Sequence, residues 1–229
     1  MMKKYIQNSA DAAAEKAAQL IGEYLNEVLS KKPVASVAFS GGRSPIQMFK
    51  HLVEQDIDWT RVEIFQVDER IAPAGDAARN LTALQQHLLA QVDIPDTQVH
   101  AMPVETNNIT TSLDEYATRL KTSAGDPPRL DIIHLGLGDD GHTASLPPGD
   151  NVLNSKQLVD ICEEFNGYRR MTLTYPVLNM ASAIVWLVTG ADKQPMLDRL
   201  LAGDTQIPAG RVNQAQAILV ADKAAGAQL

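Results

Sequence analysis

Two hydrophobic rhythms alternate along this chain. Between residues 9 and 30, Ala14, Ala17, Ala18, Ile21, Leu25 and Val28 fall on one helical stripe, with Ser9 or Asp11 placed to cap it. Short, mainly apolar runs at 34–39, 62–67, 130–135, 183–189 and 217–220 predict buried strands, and 170–174 predicts another. Helical patterns at 45–54, 79–91, 113–121 and 192–201 lie between them. Repeated strand-then-helix order calls for a parallel sheet, because each crossover needs a helix that then covers one face. The expected fold class is α/β: a single-domain, Rossmann-like, mostly parallel sheet with helices on both faces, spanning residues 1–229. No repeat, low-complexity tract or linker divides the chain, and Pro and Gly gather at strand ends.

Composition narrows the partners. With 229 residues, 45% hydrophobic and 21% charged, the chain can bury a substantial core without covalent staples. A net charge of −8 argues against nucleic acid and anionic membrane, which both call for a basic face. It leaves room for a small anion held by a few local cations. The lone Cys162 can form no internal disulfide, and none of the five histidines is paired at metal-ligand spacing. No apolar run approaches the ~20 residues of a membrane span, and no signal-peptide core stands at the N-terminus, so a soluble cytoplasmic protein is expected.

Candidate chemistry collects where glycines follow strands. Ser40-Gly41-Gly42-Arg43-Ser44-Pro45 leads from the 34–39 strand into a helix, with Ser44 and Pro45 of the types favoured at the N-cap and first helical position. Such a turn either presents free backbone N–H groups to a phosphate or is an ordinary tight connection; lacking a P-loop lysine, it implies no nucleoside triphosphate. Asp68, Glu69 and Arg70 stand at the expected carboxyl end of the next strand, where they line a cleft or form a surface triplet. Lys193 is either a point charge for an anion near a helix start or a solvated first-turn lysine. Arg170 opens a strand, and reaches the same edge only if that strand runs antiparallel.

Residues 130–149, LDIIHLGLGDDGHTASLPPG, are the most informative. His51 and His87 fall in helices, His100 in a loop, and His134 inside a strand as a satisfied core residue. Only His142 sits in a glycine turn after a strand, where an imidazole can take and return a proton near neutral pH. Asp139 and Asp140 either orient it, contact substrate or cap a helix. Gly136, Gly138 and Gly141 also spell G-x-G-x-x-G, but a dinucleotide site needs a helix directly after the third glycine. Pro147, Pro148 and Gly149 arrive within two turns, so that reading is rejected. With no G-x-S-x-G elbow, Ser40 and Ser145 are weak nucleophile candidates.

Taken together, these segments resemble the 6-phosphogluconolactonase family, a branch of the glucosamine-6-phosphate deaminase/lactonase superfamily. SGGRSP looks like that family's SGG-S/T-P turn, and VDERIAPAGDAARN is similar to its DER-x-V-P…D…S-N block. LGLGDDGHTASLPPG resembles its GxGxDGHTASLFPG signature, and RRMTLTYPVLNMASAIVWLVTGADK its R-x-T-x-T-x-P-x-L…G-x-x-K block. The matches run in order over residues 35–195. The resemblance implies hydrolysis of 6-phosphoglucono-1,5-lactone by a monomer or small homo-oligomer, with no metal or organic cofactor. It implies His142 as the acid/base residue, with Asp140 and Arg70 beside it. Ser40, Gly41, Gly42, Arg43, Ser44, Asp68, Lys193 and Arg170 would contact phosphate or substrate hydroxyls. Pro147 stands where the family has Phe, Arg43 where a small residue is common, and Arg79 where Ser is usual. The sister deaminases resemble DGH-I-A-F-N-E-P, with a glutamate where this chain has Pro147, which favours the lactonase. A sugar-phosphate-binding regulatory module is a further alternative, weakened by the presence of His142.

Overall fold

The computed structural model describes residues 2–106 and 108–226. In chain order its elements are β1 (Lys3–Gln7), α1 (Ala10–Leu29), β2 (Ala35–Phe39), α2 (Arg43–Val53), β3 (Val62–Gln66), β4 (Asp68–Arg70), α3 (Asn80–His87), β5 (Val99–His100), α4 (Ile109–Ala124), β6 (Ile132–Leu135), β7 (Val159–Phe165), β8 (Tyr168–Leu173), α5 (Tyr175–Leu178), β9 (Ala183–Val188), α6 (Gln194–Leu201) and β10 (Ala217–Asp222). Seven strands pair in the order β1-β10-β9-β6-β2-β3-β5, and every neighbouring pair is parallel. The expected α/β class and mostly parallel sheet are present.

Strand alternation splits the apolar side chains between two cores. Val37, Phe39, Ile132, Val185 and Leu187 face the layer built by α1, α2 and α3. Ala38, Ile133, Ile184 and Trp186 face the opposite layer, which holds Tyr116 and Leu120 of α4 and Leu197 and Leu200 of α6. The alanine stripe of α1 lets that helix lie close against the sheet, and Ser9 caps it by accepting the Ala12 N–H at 3.1 Å.

Several elements depart from the sequence reading. The strands β1, β5 and β7 were not anticipated, because lysines mark β1, charges interrupt β7, and β5 has only two residues. His100 consequently lies in an edge strand, stacked on Phe65 with ring centroids 4.2 Å apart, instead of in a loop. Asp68–Arg70 does not continue the preceding strand. The Val67 N–H still donates to Phe39 in the main sheet, but the Val67 carbonyl accepts from Leu173, which carries the chain into a second, three-stranded sheet ordered β4-β8-β7. That sheet is antiparallel.

The main sheet reverses its direction of growth beside β2. The chain steps from β2 to β3 and β5 on one side, then returns through α4 to place β6 on the other side. Strands diverging in this way open a crevice beyond their carboxyl ends, the usual ligand position in open α/β sheets.

Candidate active site

A cleft of about 460 Å³ occupies that crevice, and four short segments build it. The first is the turn after β2. Gly42, not Ser44, is the N-cap of α2, because the chain enters the helix at φ 122°, a conformation that glycine alone adopts freely. No side chain caps this end, so first-turn N–H groups of α2 face the cleft unclaimed by a cap. Ser40 donates to the His134 carbonyl at 3.0 Å, tying β2 to β6. Ser44 shares a 2.8 Å hydrogen bond with Thr189 beyond β9. Arg43 lines the cleft with an exposed side chain.

The second segment is β4. Glu69 is fully buried and accepts from the Gln66 amide and from the backbone N–H groups of Arg70, Asn80 and Leu81. Two of those donors open α3, so this carboxylate pins the helix start to the strand. Arg79 pairs with Glu69 at 3.1 Å and with Glu105 at 2.6 Å. Its departure from the family pattern therefore serves an internal ion pair. Arg70 lines the cleft, its Nη1 donating to Ala78 O and Asn80 Oδ1, each at 2.6 Å.

Asp68 is buried at the cleft floor and accepts from Ser145 Oγ at 2.6 Å. Burial pushes its carboxyl above the ordinary value, against the Ser145 hydrogen bond and the charges of Arg170 and Arg70. Ser145 is itself fully buried and committed to Asp68. Arg170 lies directly across from Arg70 in the antiparallel β4–β8 register and lines the cleft. The condition set by its position in the sequence is thus met. Burial, then the neighbouring Arg70 charge, lower its pKa.

The third segment is the turn after β6. The Gly138 N–H donates to His142 O at 2.8 Å and the Gly141 N–H to Gly138 O at 3.1 Å, closing a tight loop. Asp140 Oδ1 accepts the His142 backbone N–H at 2.9 Å and lies 2.6 Å from His142 Nδ1. Asp139 is exposed. Burial works against ionisation of Asp140, but the two hydrogen bonds from His142 outweigh it and hold the carboxyl below its ordinary value. His142 Nε2 makes no hydrogen bond among the described residues. No α-helix starts directly after Gly141; the next helical turn is a 3₁₀ segment at Asn151–Asn154, in line with rejection of a dinucleotide.

The fourth segment follows β9. Gly190 (φ 100°) donates its N–H to both oxygens of Asp222, at 3.1 and 3.2 Å, and the turn ends with Lys193 as the N-cap of α6. Lys193 Nζ is 3.3 Å from Asp192 Oδ2, and both residues line the cleft. Of the eleven site residues named with the family resemblance, all but Asp140 line this cleft, and Asp140 reaches it through His142; Glu69, Asp139 and Ser145 do not line it. Sequence reading missed Asn80, which links Arg70 to the Asp68 carbonyl at 2.9 Å.

One assignment is corrected. His134 is fully buried, but neither ring nitrogen has a hydrogen-bond partner, so it is an unsatisfied core histidine. Burial pushes its pKa down to about 3. Among the described residues no cluster of three His, Cys, Asp or Glu suits a metal, and no helix is long and apolar enough to cross a membrane.

The family model described as glucosamine-6-phosphate isomerases/6-phosphogluconolactonase matches residues 8–220. The chain belongs to this isomerase/lactonase family. Among relatives, the 6-phosphogluconolactonase of Nostoc sp. is 32% identical, covering 100% of this chain and 99% of the relative. That of Mycobacterium tuberculosis is 33% identical, covering 95% and 93%. The crystal structure of a 6-phosphogluconolactonase from Thermotoga maritima superposes with a TM-score of 0.86 at 23% identity, covering 97% of this chain and 99% of its own. A monomeric glucosamine-6-phosphate deaminase superposes equally well, at 0.86, with 17% identity and 100% coverage of both chains. Both likenesses are of fold, so within the isomerase/lactonase family the backbone does not separate the two chemistries. Side chains must do so.

Proposed function

We propose that this chain hydrolyses 6-phosphoglucono-1,5-lactone to 6-phosphogluconate, the lactone-opening step of the oxidative pentose phosphate pathway. The observation that carries the reading is His142: Nδ1 is tethered to Asp140 at 2.6 Å, leaving Nε2 unengaged by the described residues beside a cleft lined by Arg43, Arg70, Arg170 and Lys193. An ionised Asp140 accepts the Nδ1 proton, which selects the tautomer whose Nε2 can act as a base. The named lactonases at 32–33% identity over nearly whole chains support the same substrate.

In this mechanism water adds to C1 as its proton passes to Nε2. The tetrahedral intermediate then expels the ring oxygen, breaking the C1–O bond, and Nε2–H returns the proton to that oxygen. Acid–base help of this kind is typically worth ~10²–10⁴-fold. Arg70 or glycine-turn N–H groups stabilise the oxyanion. The open end of α2, with Lys193 and Arg170, holds the phosphate and so positions the reacting carbonyl. Nothing in this sequence of steps draws on a metal or organic cofactor. Pro147, buried and without an acid group, occupies the position at which the resemblance places the deaminase glutamate. The reading keeps the expectation of a cytoplasmic monomer or small homo-oligomer.

The test is proton release from freshly prepared 6-phosphogluconolactone, measured against spontaneous opening and beside ammonia release from glucosamine 6-phosphate. Acceleration of the first alone, lost in His142→Ala, is expected. No rate above background would overturn the reading, and ammonia release would replace it with deamination.

A further inference from the structure

The hairpin of β7 and β8 places an aromatic ring against the proposed base. Phe165 ends β7, after a register shift between Cys162 and Phe165 that breaks the regular pairing. A two-residue turn follows, with Asn166 at φ 51° and Gly167 at φ 79°. These positive values are those of a tight hairpin turn, and they fix where the ring emerges. The Phe165 and His142 ring centroids are 4.9 Å apart with planes at 74°, an edge contact. Arg170 lies over the same Phe165 ring at 5.0 Å, and its Nε donates to the Phe165 carbonyl at 3.2 Å. The ring is therefore held by a buried arginine on one side while it touches the imidazole on another.

Phe165 also divides two environments of opposite sign. Inside lies the cleft with Arg70, Arg170 and Lys193. Outside lies an open recess lined by Asp140, Asp150, Glu163 and Glu164, with Phe165 in its wall. Asp140 stands on the recess side and fixes only Nδ1 of His142. One hydrogen bond leaves the imidazole free to rock about it; a packed ring at right angles removes that freedom.

We propose that Phe165 is a positioning residue for His142: it locks the imidazole plane over Asp140 and walls the base off from the acidic recess. The inference rests on the lactonase reading for its kinetic consequence, but the ring geometry can be tested without substrate. In Phe165→Leu, which keeps bulk but loses the aromatic edge, kcat should fall about tenfold, the factor expected for one aromatic contact. Phe165→Tyr, which keeps the ring, should restore it. Nitrogen-15 and proton spectra of the histidine side chains should show sharp His142 ring signals in the native protein and in Phe165→Tyr, and signals broadened by ring motion in Phe165→Leu, with the Nδ1-protonated tautomer kept by Asp140 in all three. Native kcat together with an unchanged His142 spectrum in Phe165→Leu would overturn the proposal. An inactive native enzyme with the spectral change intact would instead overturn the substrate assignment and leave the positioning role standing.

Discussion

Gly138 leaves the space that His142 occupies. A Cβ built on Gly138 would lie 1.9 Å from His142 Nδ1, 2.3 Å from Cε1 and 2.6 Å from Asp140 Oδ1. The glycine is thus required by the close packing of the base and its partner, and not only by the bend of the loop. Gly138→Ala should displace the imidazole and reduce kcat by ~10²-fold, as misplacements of about 1 Å do. Far-ultraviolet circular dichroism should show the fold retained. Near-native turnover in that variant would mean that the ring's position is not what limits the reaction.

Asp140→Asn should lower kcat by a similar ~10²-fold while KM stays near the native value, because an amide can donate to Nδ1 and favour the wrong tautomer. The folded state holds Asp140 below the ordinary 3.8, so its stabilising effect is present above that pH and is lost as pH falls below it. Denaturation midpoints of the native protein and Asp140→Asn should accordingly converge in strong acid.

Lys193→Ala should raise KM for the phosphorylated lactone by ~10–100-fold, the range of one charge-assisted hydrogen bond. On unphosphorylated gluconolactone the same variant should match the native protein. Equal losses on both substrates would place Lys193 near the carbonyl instead of the phosphate.

His134 makes a prediction about stability alone. Its folded pKa is about 3, against 6.5 for an ordinary histidine, so the unfolded chain binds one more proton between those values. Stability should fall by about 1.4 kcal/mol per pH unit on that account as pH drops through this window. His134→Leu removes the titrating group and two unpartnered nitrogens, and should flatten the acid arm of urea unfolding. An unchanged slope would assign acid sensitivity to other groups.

What was legible in the sequence was local. The glycine turns at Gly41-Gly42 and Gly136–Gly141 announce themselves because backbone freedom is written in residue type, and His142 stands out by its place in one of them. The alanine stripe of α1 and the apolar strands are likewise short-range patterns. Arg170 was ambiguous because its place depends on β8 running antiparallel to β4, a pairing between distant segments. Asp68 was read as a strand end because nothing local shows that Val67 hands the chain to a second sheet. Ser44 has the ideal type for a helix cap, yet Gly42 takes that position because the turn needs a positive φ before the helix can start. Phe165 carried no signal at all, since its meaning lies in which ring it meets.

The reversal of sheet growth beside β2 has a consequence for how activity arises. The proposed phosphate turn leaves β2, whereas the base leaves β6, and the two strands become neighbours through the pairing of Val37 with Ile132. Everything between them, including β3, β5 and α4, must be looped out before the cleft has two walls. Such long-range pairing is intrinsically slow. On refolding, helix content should return first and turnover last, so catalysis serves as a clock for the completion of the pairing between β2 and β6.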